Sequence, residues 1–285
     1  MKAAIIGGDL RQLYAADALE RRNCQTSLFG LERCEQTGNR HQSQSLSEAV
    51  NGADFLLLPL PMEEEAQRLN APFAQMPIAL PELLECVPAH TPVFGGKVRE
   101  AWHRMHPNLY DYAEEETFQI QNAVLTAEGA LQLAMKTMLG TLHGSRCLVI
   151  GYGRIGKVLA GMLHGLGAQV CVSARRPEDR AWIRAAGYEA LETGALDGCL
   201  DGMQMVFNTV PARILTDARL RELPPETPIL DLASLPGGVD FEAARAQNRK
   251  VLHALALPGK TAPAAAGEAI ADTVLQMLRK IRSPG

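Results

Sequence analysis

No apolar run in this 285-residue chain is long enough to cross a bilayer, which argues against a membrane span. The six cysteines, Cys24, Cys34, Cys86, Cys147, Cys171 and Cys199, include no C-x-x-C pair, so reduced thiols and no structural zinc are expected. Cys147 and Cys171 fall inside apolar stretches, where a thiol acts as a small hydrophobe. A strong charge of one sign is also lacking. The net charge of −4 argues against nucleic-acid or anionic-membrane binding. Nothing marks a Ser-His-Asp or Cys-His nucleophile, and no cluster has metal-ligand spacing. His103 and His106 form an i, i+3 pair without a third ligand, and read as surface residues. No repeat of solenoid period is visible. The opening run Ala3 to Gly8 meets Asp9 and Arg11 too early for a signal peptide. It reads as a first core strand of a cytoplasmic protein.

What is present is an ordinary globular composition, 47% hydrophobic and 21% charged, with alternating strand and helix signals that favour parallel sheets. The expected fold class is α/β, with two Rossmann-like parallel-sheet lobes joined by two crossing helices. Its segments are a substrate lobe over 1–121, a bridging helix over 122–143, a dinucleotide lobe over 144–260 and a returning C-terminal helix over 261–285. In the first lobe, strands are expected at 2–7, 25–29, 53–59, 77–80 and 92–94, with a helix over 10–22 and a polar loop over 33–47. The acids Glu114 to Glu116 read as a solvated helix face. In the second lobe, strands 146–150, 169–173, 205–208, 228–232 and 251–255 alternate with helices 154–166, 177–186 and 212–222, before a last helix over 263–281.

The stretch Cys147-Leu148-Val149-Ile150-Gly151-Tyr152-Gly153-Arg154-Ile155-Gly156 puts G-x-G-x-x-G between a buried strand and a helix. Gly151 suits the tight turn, Gly153 the approach of a pyrophosphate and Gly156 close helix–strand packing. The phosphates would rest on N–H groups at the helix start, beside Arg154 and Ile155. The following strand ends in Ser173-Ala174-Arg175-Arg176, without the acid that NAD enzymes place there. A hydroxyl and two guanidiniums suit a phosphate, so Ser173, Arg175 and Arg176 are expected to select NADP, the alternative being a solvated loop.

Ligands of doubly wound sheets sit beyond the carboxyl ends of strands. Asn208, Thr209, Val210 and Pro211 would therefore lie along the cofactor, with Ser234 towards the nicotinamide. In the first lobe Gly7-Gly8-Asp9-Leu10-Arg11-Gln12 lacks the third glycine and reads as an anion site for substrate. Arg11 would hold a carboxylate, unless Asp9 is merely an N-cap and Arg11 solvated. Asp9, Glu128, His143 and Lys260 are the available acid–base groups. Of these, His143 is best read as a helix terminator. Glu128 lies in an apolar helix, where a carboxylate needs a partner. Lys260, in the loop Pro258-Gly259-Lys260-Thr261, would suit a carboxylate or phosphate.

These segments resemble the family of the dipicolinate synthase A-subunit. The resemblance rests on Ile6 to Gln12, Thr126-Ala127-Glu128-Gly129, His143-Gly144-Ser145, Val149 to Gly156 and Asn208 to Pro211. It continues through Ile229 to Ser234 with Pro236 to Phe241, and Leu257 to Pro263. Residues 60–117 match less clearly. The resemblance implies oxidation of a dihydrodipicolinate to pyridine-2,6-dicarboxylate with NADP in the mother cell of a sporulating bacterium. It also implies a flavoprotein-like partner, the B-subunit of the synthase, and leaves homo-oligomerisation open. With it, substrate contacts are expected at Gly8, Asp9, Arg11, Gln12, Thr126, Gly237 and Gly238, and catalytic roles at Asp9, Glu128, Ser234 and Lys260. Two alternatives stand beside this: an NADP-binding scaffold or sensor without turnover, and a dehydrogenase of another small hydroxy or keto acid.

Overall fold

Two parallel sheets organise the computed structural model, which describes residues 1–282 apart from 39, 41 and 66. The chain divides into unit 1, Met1–Asn122 with the segment from Ala262 onward, and unit 2, Ala123–Thr261.

Unit 1 runs β1 (Lys2–Ile6), α1 (Leu10–Arg21), β2 (Gln25–Phe29), α2 (Leu46–Val50), β3 (Phe55–Leu57), α3 (Leu80–Cys86), β4 (Val93–Gly95), α4 (Glu100–His103) and β5 (Leu109–Asp111). All pairings are parallel, in the order β2-β1-β3-β4-β5. Ala3 to Ile6 and Phe55 to Leu57 are buried without alternation, as strands covered on both faces must be. One face packs on α1 and on α11 (Pro263–Arg282), through Ala15, Leu19, Ile270 and Val274. A Cβ at Gly267 of α11 would stand 2.5 Å from the Arg11 carbonyl oxygen, so glycine there lets the two helices meet. The strand order reverses between β1 and β3, and the crevice beyond that switch point is where such sheets bind ligands.

The chain enters unit 2 through α5 (Glu116–Thr137). It continues with β6 (Arg146–Ile150), α6 (Arg154–Gly165), β7 (Gln169–Ala174), α7 (Pro177–Ala185), β8 (Glu189–Glu192), β9 (Met205–Asn208), α8 (Asp217–Glu222), β10 (Ile229–Asp231), α9 (Phe241–Ala246), β11 (Val251–His253) and α10 (Leu257–Thr261). The sheet order is β11-β10-β9-β6-β7-β8, again parallel, with its switch point between β6 and β9. Cys147 and Val149 of β6 face Ala130, Ala134 and Leu163, while Leu148 and Ile150 face Leu200 and Leu215.

The fold departs from the sequence reading in several places. Residues 77–80 are no strand; Leu80 instead starts α3, with Pro81 in its first turn, where its fixed φ and missing N–H cost little. The bridging helix begins at Glu116 and stops at Thr137, whose hydroxyl donates back to the Leu133 carbonyl at 2.8 Å. The chain crosses the unit boundary in α5 and returns to unit 1 at α11. The helix expected over 212–222 shrinks to Asp217–Glu222, because Leu215 bridges Val239 in extended form. His106 is buried rather than on the surface; burial pushes its pKa down, partly offset by its contact with the Pro88 carbonyl. Within the polar loop expected over 33–47, residues 39 and 41 lie outside the described residues.

Candidate functional site

The carboxyl edge of β6 is shaped by three glycines, each for a different reason. Gly151 has φ +100, and a Cβ there would stand 2.5 Å from Thr209 Oγ1. Gly156 packs so tightly that its Cβ would lie 2.1 Å from the Gly151 carbonyl oxygen. A Cβ at Gly153 would meet nothing within 4 Å. The first and third glycines therefore serve the turn and the packing, while the second opens space in front of the helix. α6 has no side-chain cap; its first turn is Arg154, Ile155 and Gly156, and Lys157 N–H closes on the Gly153 carbonyl at 2.9 Å. A cavity of about 380 Å³ adjoins this turn, lined by Gly151 to Gly153, Ala174 to Arg176, Asp179, Thr193 and Thr209 to Pro211. This donor set, with backbone at a helix start and a guanidinium at the next strand end, fits a dinucleotide.

The two arginines are not equivalent. Arg176 is held by Asp179 in a fork, Nε to Oδ2 at 2.8 Å and Nη2 to Oδ1 at 3.0 Å. Those hydrogen bonds, with the positive charge behind them, hold Asp179 below the usual carboxylate range. Arg175 is exposed, and its guanidinium has no partner among the described residues. Ser173 corrects the sequence reading: its side chain is fully buried, and its hydroxyl accepts from Thr193 Oγ1 at 3.1 Å. β7 runs one residue further than expected, which brings Ala174 rather than Ser173 to the cavity.

Asn208 is likewise buried rather than facing a ligand. Its Nδ2 donates to Asp231 Oδ1 (2.8 Å) and the Val210 carbonyl (2.9 Å), and its Oδ1 accepts from Val210 N–H (3.2 Å). Asp231 also accepts from the N–H groups of Ala233 (3.2 Å) and Gly238 (2.8 Å). This network ties the loop after β9 to the loop after β10. It accounts for Gly237 and Gly238, expected at the substrate: a Cβ at Gly237 would meet Asp231 Oδ2 at 2.5 Å, and one at Gly238 would meet Asn208 Nδ2 at 2.2 Å. With its N–H spent on Asp231, Gly238 offers no donor to a ligand. Sequence reasoning missed Asp231 as the hub; its place one strand from Asn208 at the sheet's carboxyl edge was the available signal. Ser234, in the same loop, is exposed.

At the unit 1 switch point the predicted residues come together, but as partners of one another. Asp9 caps α1, accepting from Arg11 N–H at 3.0 Å. It also grips the Arg11 guanidinium, at 2.9 Å from Nε to Oδ1 and 2.8 Å from Nη2 to Oδ2. Arg11 Nη2 also donates to the Leu60 carbonyl, while Nη1 has no partner among the described residues. Arg11 is therefore neither solvated nor an unpaired cation. Gly8 gives its N–H to the Asn70 carbonyl at 2.8 Å, so it cannot offer it to a substrate. Gln12 is buried, and its Nε2 has no hydrogen-bond partner. A buried orphan donor is a group that a ligand could satisfy.

The remaining candidates divide by exposure. Glu128 is exposed on α5, so the premise that its carboxylate needs a buried partner fails. Thr126 is buried on the same helix and engaged in contacts. Gly129 brings α10 close to α5, since a Cβ there would stand 2.8 Å from Thr261 Oγ1. Lys260 belongs to α10 rather than to a loop and is exposed.

Residues 115–233 match the NAD-binding domain of D-isomer specific 2-hydroxyacid dehydrogenases, and with the crevice at β6 they define an oxidoreductase-type protein that binds a nicotinamide dinucleotide. Residues 2–110 match the N-terminal domain of the dipicolinate synthase A-subunit. The chain is 31% identical over 290 residues to the dipicolinate synthase A-subunit of Bacillus subtilis, covering 99% of this chain and 97% of that one. It belongs to the dipicolinate synthase A-subunit family. The crystal structure of the Bacillus halodurans member superposes with a TM-score of 0.87 at 32% identity over 97% of both chains. The Bacillus subtilis structure gives 0.87 at 30%, over 100% of this chain and 98% of the other. Transhydrogenase from Sinorhizobium meliloti, at 15% identity and TM-score 0.69 over 97% and 94%, shares the fold.

Proposed function

We propose that this chain oxidises a dihydrodipicolinate to pyridine-2,6-dicarboxylate, with NADP⁺ as the hydride acceptor and one proton released. The observation that carries the reading is the coincidence of family membership along nearly the whole chain with a dinucleotide crevice containing an uncommitted guanidinium, Arg175. The cofactor's part is to take the hydride; the chain's residues bind, orient and deprotonate.

In this reading the first turn of α6 and Gly153 hold the pyrophosphate, Thr209 to Pro211 lie along the dinucleotide, and Arg175 meets the 2′-phosphate. The Asn208–Asp231 network acts at one remove by fixing the loops that carry Thr209 and Ser234. Arg11, through Nη1, and Gln12, through Nε2, bind one substrate carboxylate. The Asp9 carboxylate keeps the Arg11 fork in one orientation, which preorganises that contact. Asp9, Glu128 and Lys260 are the groups proposed to accept the proton as the ring becomes aromatic, with Ser234 near the nicotinamide. The family name supports a second, B-type partner in the synthase. A cytoplasmic, mother-cell setting follows from the same proposal.

Purified protein mixed with NADP⁺ and dihydrodipicolinate should develop the absorbance of reduced nicotinamide without any other chain. Tight NADP⁺ binding with no reduction, reversed on adding the B-type partner, would identify a scaffold instead.

A further inference from the structure

Lys97 stands apart at the carboxyl edge of the unit 1 sheet. It follows β4 and Gly96, and its φ of +56 puts a long side chain in the left-handed region. Such residues persist where their surroundings impose them, and they cluster at ligand sites. Here the surroundings are explicit. Asp111, at the end of β5, accepts from the backbone N–H of Lys97 (3.1 Å) and of Val98 (2.7 Å). On the other side Gly96 N–H donates to the Pro59 carbonyl (3.0 Å), and Met62 N–H donates to the Gly96 carbonyl (2.7 Å). A Cβ at Gly96 would lie 2.7 Å from Leu60 Cδ1 and 3.1 Å from its Cα, so the loops after β3 and β4 interlock. The Leu60 carbonyl is the acceptor for Arg11 Nη2. Arg11, the loop after β3 and the Lys97 backbone thus form one connected edge across β1, β3 and β4.

Two neighbouring cations are already committed, Arg11 to Asp9 and Arg99 to Glu63 at 3.2 Å. The Lys97 side chain is exposed and has no partner among the described residues. We propose that Lys97 binds the second carboxylate of the substrate, and that Asp111 is the positioning residue that fixes its backbone. The inference rests on the reading of unit 1 as the dicarboxylate lobe. The two carboxylates flanking the ring nitrogen need separate donors, and with the Arg11 edge taken by the first, the second needs another cation.

The test is specificity rather than activity. With saturating NADP⁺, calorimetric titration compares pyridine-2,6-dicarboxylate with pyridine-2-carboxylate. The wild-type protein should prefer the dicarboxylate. Lys97→Gln should weaken it by on the order of 10–100-fold, the loss of one charged hydrogen bond, while the monocarboxylate shifts by less than about threefold. Lys97→Arg should restore part of the preference. Lys97→Gly relieves the backbone, so it should raise the Tm and still lose the preference, which a purely structural role would not do. Retained preference in Lys97→Gln overturns the assignment while leaving the proposed function standing. A wild-type protein that binds neither acid overturns the dicarboxylate lobe itself, and the Lys97 assignment with it.

Discussion

Arg175→Ala should reduce NADP(H) affinity while leaving NAD(H) nearly unchanged. Arg175 lines the cavity and has no competing partner among the described residues, so a 2′-phosphate would gain its guanidinium without breaking an existing pair. A charge-assisted hydrogen bond contributes roughly 1.5–3 kcal/mol, and exposure to salt favours the lower end. The expected loss is therefore on the order of tenfold. Arg176 behaves differently because Asp179 already occupies its fork. Arg176→Ala leaves that carboxylate uncompensated at the cavity wall, and so weakens NADP(H) through repulsion. Asp179→Asn releases the Arg176 fork and removes the negative charge, so it should tighten NADP(H) and steepen its salt dependence. Calorimetric titration of both cofactors at two ionic strengths reads all three variants. Equal losses for NAD(H) and NADP(H) in Arg175→Ala, or weaker NADP(H) binding in Asp179→Asn, would refute the assignment.

Further outcomes follow from the packing. Gly153→Ala should keep the Tm yet lose dinucleotide binding, because its Cβ enters only the space in front of the helix. Gly156→Ala drives a Cβ into backbone and should lose both binding and about 1–3 kcal/mol of stability; an intact Tm would contradict the close packing. Asp231→Ala removes one of the two acceptors of Asn208 Nδ2 and leaves the N–H groups of Ala233 and Gly238 without acceptors, a cost of roughly 3–5 kcal/mol that calorimetry should register as a Tm lower by about 10 °C. Burial, followed by the Glu189 carboxylate, pushes the Cys171 thiol up to about 12. Alkylation near neutral pH should therefore label exposed Cys86 first and spare Cys171 until the chain unfolds. In the fold this thiol favours its protonated form. Its contribution to stability is complete below the ordinary thiol value of 9.0 and drains away as pH rises towards 12, so the Tm should decline over that window.

The strands that proved easiest to read were the central ones. Lys2–Ile6, Arg146–Ile150 and Met205–Asn208 are short apolar runs because central parallel strands are covered on both faces. Edge strands β5 and β8 escaped notice: Leu109–Asp111 and Glu189–Glu192 are short, and one side of each meets no other strand, so no apolar signature is required. At the site, residue types were legible but partnerships were not. Arg11, Arg176 and Asn208 were legible as polar groups at the strand ends; that Asp9, Asp179 and Asp231 hold them was not. The first two pairs lie two or three residues apart. The third crosses from β9 to β10, and no spacing rule reports it. Glu128 is exposed although its helix is largely apolar, because such a helix still has an outer face.

The central claim is that this chain itself moves a hydride from a ring C–H of a dicarboxylate to a nicotinamide. Dihydrodipicolinate deuterated at the ring position that loses hydride, incubated with NADP⁺ and this chain alone, tests it most directly, with mass spectrometry of the cofactor as the readout. The account predicts NADPH carrying the substrate's deuterium together with unlabelled pyridine-2,6-dicarboxylate. Dipicolinate formed while NADP⁺ stays oxidised, or NADPH formed without the label, would contradict it.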